Sequence, residues 1–382
     1  MSKSVPFRVV VDTKNLALYQ GGISHWFAPL LSSWIESRTD VTFLLIGPDF
    51  DTGFLPQTGN WNHMPLSWPD GLPRPLRHPW YDNVTFPRAV SRLRPDLVMS
   101  PYHDVRMPKG IPSIITVHDL CLDELGSVYP RRIRHYYLAL LRRNLHQAVL
   151  VVTVSETSRA KLIERYGLDP ARISVVYNTP PSVFRTVTDT DAVAAFRKRY
   201  CSKGSLLFYP GGAEYRKNVG RLLQAFERLA RQDEDLILLV TGRASPAWDA
   251  LLGVLPDASQ RRFAFAGRLS DAELCLAYAA ADAVVYPSLC EGFGRVCLEA
   301  MEMGTPIACS DLPVMREVAG EYAHYVDPYH VESIVEGIKV ALSQGHHAPT
   351  RDARFQDAAV KDGFLDVMDR CVSGIDDQRE TQ

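Results

Sequence analysis

The stretch Tyr286-Pro-Ser-Leu-Cys-Glu-Gly-Phe-Gly-Arg-Val-Cys-Leu-Glu-Ala-Met-Glu-Met-Gly-Thr-Pro306 sets two carboxylates, Glu291 and Glu299, eight positions apart around Gly292 and Gly294. A carboxylate accepts hydrogen bonds and cannot donate them, so the pair suits a ligand rich in hydroxyls. Gly292 and Gly294 stand where a loop turns into a helix predicted over 293–304. Glycines at such a point let a ligand approach the backbone. The first N–H groups of the helix, with the positive dipole end behind them, then favour a phosphate. Hydroxyls arranged around a phosphate describe a nucleotide sugar. Taken alone, Glu299 also reads as a solvated helix carboxylate and Glu291 as a favourable charge near a helix start.

A second group is cationic. Pro210-Gly-Gly-Ala-Glu-Tyr-Arg-Lys-Asn218 follows a predicted strand and precedes an amphipathic helix over 219–231. Adjacent cations at a helix start, Arg216 and Lys217, oppose the dipole, and an anionic ligand such as a diphosphate would account for them. Exposed basic residues are the plainer reading. A third group lies at strand ends: Tyr102-His103-Asp104 after the apolar run 96–100, and His118-Asp119 after 111–117.

These groups need a frame that gathers strand ends, since ligands of open α/β sheets bind beyond the carboxyl ends of the strands. Apolar runs at 7–11, 41–46, 96–100, 111–117, 150–154 and 173–177 predict one parallel sheet. Runs at 205–209, 236–242, 263–267, 283–285 and 306–309 predict a second. Helical segments alternate with them, so the fold class is α/β, with two doubly wound Rossmann-like domains. Predicted boundaries are 1–180 for an N-terminal domain, 181–200 for a linker and 201–352 for a nucleotide-sugar domain. A last helical segment covers 353–382. Residues 48–80, rich in Pro, Gly and Trp, read as a long irregular segment, with Trp61, Trp68 and Trp80 either anchoring it or offering an acceptor platform. Asp189-Thr-Asp191 has D-x-D spacing but falls in the predicted linker, which marks it as coincidental.

At 382 residues, with 46% hydrophobic and 23% charged, the chain has the composition of a globular protein of two domains. A net charge of −2 supplies no overall attraction to nucleic acid. No apolar run reaches transmembrane length, and the seven cysteines show no metal-site spacing, so a cytoplasmic protein without a metal is expected. The basic and apolar stretch 129–143 suits either a solvated helix or peripheral contact with the inner face of a membrane. No dinucleotide fingerprint follows the first strand, which counts against an oxidoreductase.

Glu291-Gly-Phe-Gly, Glu299-Ala-Met and Gly304-Thr-Pro-Ile resemble the E-x7-E pattern of retaining GT-B glycosyltransferases of family 4. Arg216-Lys-Asn and His118-Asp-Leu further resemble bacterial mannosyl- and rhamnosyltransferases of polysaccharide assembly. The resemblance implies two domains facing across a cleft, with the last helix crossing back to the N-terminal domain. It implies that Glu291 and His118 meet the donor sugar, Glu299 the ribose, and Arg216 with Lys217 the departing diphosphate. Gly21 and Gly22 would close over the donor, and Gly292, Phe293 and Gly294 would line it. The nucleobase would be read near Arg268 and Leu269. Many members carry arginine where Gly212 stands, which shifts charge stabilisation onto Arg216 and Lys217. Tyr102 and His103 are candidates for the acceptor. The expected function is metal-independent transfer of a hexose, with GDP-mannose the first candidate donor, to a glycan or lipid-linked glycan. The alternatives are a GT-B sugar-nucleotide epimerase or hydrolase, and a non-catalytic sugar-nucleotide-binding subunit.

Overall fold

The computed structural model describes residues 6–18, 22–181, 183–184, 187 and 189–380. The chain divides into two compact units, Met1–Asn178 with Asp357–Gln382, and Thr179–Gln356.

The first unit is built on seven strands: β1 (Phe7–Asp12), β2 (Val41–Gly47), β3 (Trp61–Pro65), β4 (Leu97–Ser100), β5 (Ser113–Val117), β6 (Leu150–Thr153) and β7 (Ile173–Val175). They pair in parallel in the order β3-β2-β1-β4-β5-β6-β7. Val10 lies opposite Leu44 on one side and Val98 on the other. Helices cover both faces of such a sheet, so the central strands read as unbroken apolar runs, and Val9, Val10, Val11, Val98 and Ile115 are fully buried. Strand order reverses between β1 and β4, which opens the crevice of this unit. Helix Asp357–Glu380 belongs here, with Phe364 edge-on to Trp34 and Asp369 3.0 Å from Arg38.

The second unit holds six parallel strands: β8 (Leu206–Tyr209), β9 (Ile237–Val240), β10 (Phe263–Phe265), β11 (Ala283–Tyr286), β12 (Ile307–Ser310) and β13 (His324–Val326). Their order is β10-β9-β8-β11-β12-β13, so the reversal falls between β8 and β11. Each unit is thus a doubly wound, Rossmann-like α/β domain, as the apolar runs predicted.

Three sequence expectations are corrected. Residues 48–80 are not irregular throughout: β3 and helix Arg74–Trp80 lie within them. As an edge strand exposed on alternate sides, β3 needs no apolar run. The helix places Pro75 in its first turn, where a missing N–H is harmless. Within 181–200 the segment Thr190–Tyr200 is a helix of the second unit, packed on helix Asp271–Ala280. Asp189 of the D-x-D caps it by accepting from Ala192 N at 2.9 Å. Finally, the second sheet has an edge strand at 324–326 beyond the five runs predicted for it. No helix among the described residues is long and apolar enough to cross a membrane.

Candidate active site

In the second unit, the loops leaving β8 and β11 meet at the reversal of strand order. Asn218 staples them. It is buried, with φ of 58° in the left-handed region that asparagine tolerates better than most side chains. Its amide nitrogen donates to the carbonyls of Pro287 (2.9 Å) and Pro328 (2.6 Å). Leu289 N and Ser288 Oγ in turn donate to Arg216 O, at 2.7 and 3.0 Å. The backbone carrying Arg216 and Lys217 is thereby held against the backbone carrying Glu291.

All three side chains converge. Glu291 Oε1 lies 2.8 Å from Lys217 Nζ and 3.1 Å from Arg216 Nη1. The hydroxyls of Ser288 (2.7 Å) and Tyr286 (3.0 Å) donate to the same oxygen. Lys217 also hydrogen-bonds Tyr286 OH and lies 4.6 Å from that ring's centroid. Every donor converges on Oε1; no hydrogen bond from the described residues reaches Oε2, which stays available to a hydroxyl. Burial pushes the Glu291 carboxyl up, but Lys217 and Arg216, with the Lys217 and Ser288 hydrogen bonds, outweigh it and hold the carboxyl below the usual glutamate range. One carboxylate among two cations leaves a net positive charge, an arrangement suited to an anionic ligand.

Behind this cluster stands helix Arg295–Met303. Gly294 precedes it with φ of 92°, a backbone conformation that favours glycine, and an added Cβ would sit 2.6 Å from Met315 Sδ, which would have to shift. Glu299 is 3% exposed, which rules out the solvated-carboxylate reading. Tyr278 OH donates to its Oε2 at 2.6 Å, and Arg295 Nε lies 2.9 Å from Oε1. Although the distance to Arg295 is short, Oε1 accepts no well-aligned hydrogen bond, so it can take one from a ligand hydroxyl. Burial, and then Glu299 itself, push the Tyr278 hydroxyl far up, so it stays a donor.

Gly292 is buried, and the Phe293 ring lies edge-on to Phe355 at 5.5 Å, turned into the core of its own unit. Gly212 lines a cavity of about 490 Å3 between the loops leaving β8 and β9, together with Glu214, Gly242 and Arg243. Arg268 and Leu269 follow β10, just past Gly267, whose carbonyl accepts from Gly242 N at 2.8 Å. They adjoin the loop that supplies one wall of that cavity.

In the first unit, His118 Nε2 lies 2.9 Å from Pro101 O, which fixes hydrogen on Nε2 and leaves Nδ1 as the acceptor. Trp26 packs edge-on against the imidazole at 5.0 Å, and Tyr102 stacks on it at 6.0 Å. His103, 8% exposed, completes this group against Tyr102. Desolvation drives the His118 pKa down to about 4, against the pull of Pro101 O and Asp119. The folded ring therefore stays neutral where the unfolded ring, with an ordinary value near 6.5, takes up a proton. Below about pH 6.5 the unfolded state binds more protons, so stability falls as pH drops toward 4. His118→Gln should lose melting temperature less steeply than the parent protein over that range; equal slopes would refute the assignment.

Sequence reasoning passed over two features. Asn218 was quoted only as the end of a motif; its left-handed backbone is invisible without the loop it closes. The other is a buried cluster at the strand reversal of the first unit. Lys14, 1% exposed, lies 2.6 Å from Asp82 Oδ1 and 2.7 Å from Asp104 Oδ2. Asp12 accepts from Lys14 N (3.0 Å) and from Ser100 Oγ (2.9 Å). A lysine two residues beyond an apolar strand was the available signal. Trp61 and Trp68 anchor their segment, through Pro56 O and through His78 and Tyr81, whereas Trp80 is exposed. Gly21 lies outside the described residues, and Gly22 is the first residue of helix Gly22–Ser37 rather than part of a loop.

Both halves of the chain resemble known proteins. Residues 196–361 match the family model for glycosyl transferases group 1, and residues 21–179 match glycosyltransferase family 4. O-antigen chain mannosyltransferase B of Escherichia coli is 29% identical over 232 residues, 60% of this chain and 61% of its own. O-antigen chain mannosyltransferase RfbU of Salmonella typhimurium is 29% identical over 244 residues, 64% of each chain. The chain thus spans less than two thirds of the length of these relatives. Among solved structures, sucrose-phosphate synthase from Thermosynechococcus elongatus superimposes with a TM-score of 0.69 at 17% identity, covering 98% of both chains. With both halves matched and the Glu291 and Glu299 pair in place, the chain belongs to the family 4 glycosyltransferases of GT-B fold.

Proposed function

We propose that the protein is a retaining hexosyltransferase that moves mannose or a related sugar from a nucleotide-diphospho-sugar to a hydroxyl of a glycan or lipid-linked glycan, in bacterial surface polysaccharide synthesis at the cytoplasmic side. The convergence of Arg216, Lys217 and Glu291 at the strand reversal of the second unit is the observation that carries this reading. The two mannosyltransferase relatives favour mannose, with GDP-mannose as the first donor to test.

In this reading the bond from the anomeric carbon to the diphosphate oxygen breaks, and its electron pair leaves with the phosphate. Lys217, Arg216 and the N–H groups that follow Gly294 stabilise that charge without a metal. The acceptor oxygen bonds the anomeric carbon on the face the phosphate leaves, and its proton passes to a phosphate oxygen. In the second unit Glu291 Oε2 orients the sugar and Glu299 Oε1 takes a ribose hydroxyl; in the first unit neutral His118 is the candidate for a donor hydroxyl, and Tyr102 with His103 for the acceptor.

Glu299→Gln keeps the side chain's shape but loses a charged acceptor. Donor KM should rise about tenfold to a hundredfold, the equivalent of ~1.5–3 kcal/mol, with kcat little changed. Steady-state kinetics over donor concentration would show it. The function itself is tested by incubating candidate sugar nucleotides with lipid-linked acceptors in chelator and reading the new linkage by NMR. An α-linked product from an α-linked donor supports the proposal. Inversion, a requirement for metal, or donor cleavage that ignores acceptor would refute it.

A further inference from the structure

A cavity of about 450 Å3 in the first unit is lined by Arg88, Arg92, Arg106, Lys109 and Arg143, with no acidic residue on its wall. It sits beside helix Phe86–Leu93, at the segment 106–109 and the C-terminal half of helix Arg131–Gln147. None of the five cations makes a side-chain hydrogen bond or ion pair among the described residues. In a chain with a net charge of −2, five such cations around one hollow are not a consequence of composition.

The hollow is held in shape. Asn144, fully buried, donates from its amide to the carbonyls of His103 (3.1 Å) and Val105 (2.7 Å) and accepts from Met107 N (3.2 Å). Arg106 N donates to Asp82 O at 2.9 Å. The segment bearing Arg106 and Lys109 is thus clamped to the helix bearing Arg143. Arg143 Nε is buried without a partner, a costly state unless a ligand supplies the acceptor. Desolvation, and then the neighbouring charge of Arg106, both lower the Arg143 pKa, so the two guanidinium groups repel across the hollow.

We infer that this cavity of the first unit binds a phosphate-bearing anion, a diphosphate or a phosphodiester. Five cations outweigh a lone carboxylate, whereas a diphosphate offers several negative charges, and guanidinium forks match phosphate oxygens in pairs. That chemistry has two sources: a soluble or lipid-linked diphosphate, and a membrane phospholipid headgroup.

The test uses the full chain carrying Arg216→Ala and Lys217→Ala, which weakens phosphate binding at the second unit, so that a failed donor assignment leaves the result unaffected. Inorganic pyrophosphate is titrated by calorimetry at low salt. In parallel, the protein is sedimented with phosphatidylcholine vesicles, with and without phosphatidylglycerol. Adding Arg106→Gln and Lys109→Gln, both exposed positions, should weaken binding at least tenfold in whichever arm shows it. Arg131→Gln with Arg132→Gln, on the same helix but away from the hollow, should leave it intact. Arg143→Met should also lose affinity while keeping or raising the melting temperature, since it removes a repelled charge. Calorimetric binding assigns the diphosphate, and sedimentation alone assigns the headgroup. Silence in both arms, or binding indifferent to Arg106 and Lys109, overturns the site.

Discussion

Lys217→Ala lowers turnover by about two to three orders of magnitude, the usual cost of removing one preorganised group from a site of developing negative charge. The melting temperature of the second unit should barely move. Glu291 keeps Arg216, Ser288 and Tyr286 as partners, so the substitution does not strand a buried carboxylate. Under the proposed function, affinity for the nucleoside diphosphate should fall together with kcat, because the same ammonium would meet the leaving group before and after transfer. Single-turnover rates with calorimetry on the diphosphate separate these effects. Normal turnover with normal diphosphate affinity would show that Lys217 serves only to neutralise Glu291. Lys217→Arg is a useful control: it keeps the charge, but not the compact ammonium seated against the Tyr286 ring.

The largest stability effect is expected in the first unit. Lys14→Met removes the cation from a buried cluster and leaves Asp82, Asp104 and Asp12 without a counter-charge. Burial pushes the Asp12 carboxyl up to about 6 and Asp82 up to about 7, even with Lys14 drawing both down. Breaking a buried pair from one side costs about 3–5 kcal/mol. For a unit of this size that is roughly a 10 °C fall in the first unit's transition, read by scanning calorimetry. Lys14→Met combined with Asp82→Asn and Asp104→Asn should recover most of the loss, since a buried ionic set can be replaced by neutral groups at little cost. A single variant as stable as the parent, or a triple variant no better than the single, would refute this account of the cluster.

Much of the fold was legible because parallel strands buried on both faces must be apolar, and the residues that end them must turn. The runs that became β1, β2, β4, β5, β6 and β8 to β12 were marked in this way, within a residue or two at their ends. β7, an edge strand like β10, was marked as well, but the edge strands β3 and β13 were not. β3 carries Asn62, His63 and Pro65 because only one side of it is paired, and β13 is three residues long. Helix Thr190–Tyr200 was missed because the turn residues before it extended the apparent linker, although Asp189 was already the cap that starts it.

The candidate site residues divide along the same line. Glu291, Glu299, Gly294, Arg216 and Lys217 could be picked out by type and spacing, because loops that follow strands and glycines that open helices are local features. Sequence alone thus determined two parallel α/β units, and which loops bear carboxylates and cations. Tertiary structure decided that Lys217 and Arg216 share one oxygen of Glu291, that Glu299 is buried against Tyr278, and that Lys14 meets Asp82 and Asp104. Those contacts join residues from 21 to 90 positions apart. Which strand end faces which depends on the reversal of order at β1 and at β8, a property of the assembled sheet that no local spacing records.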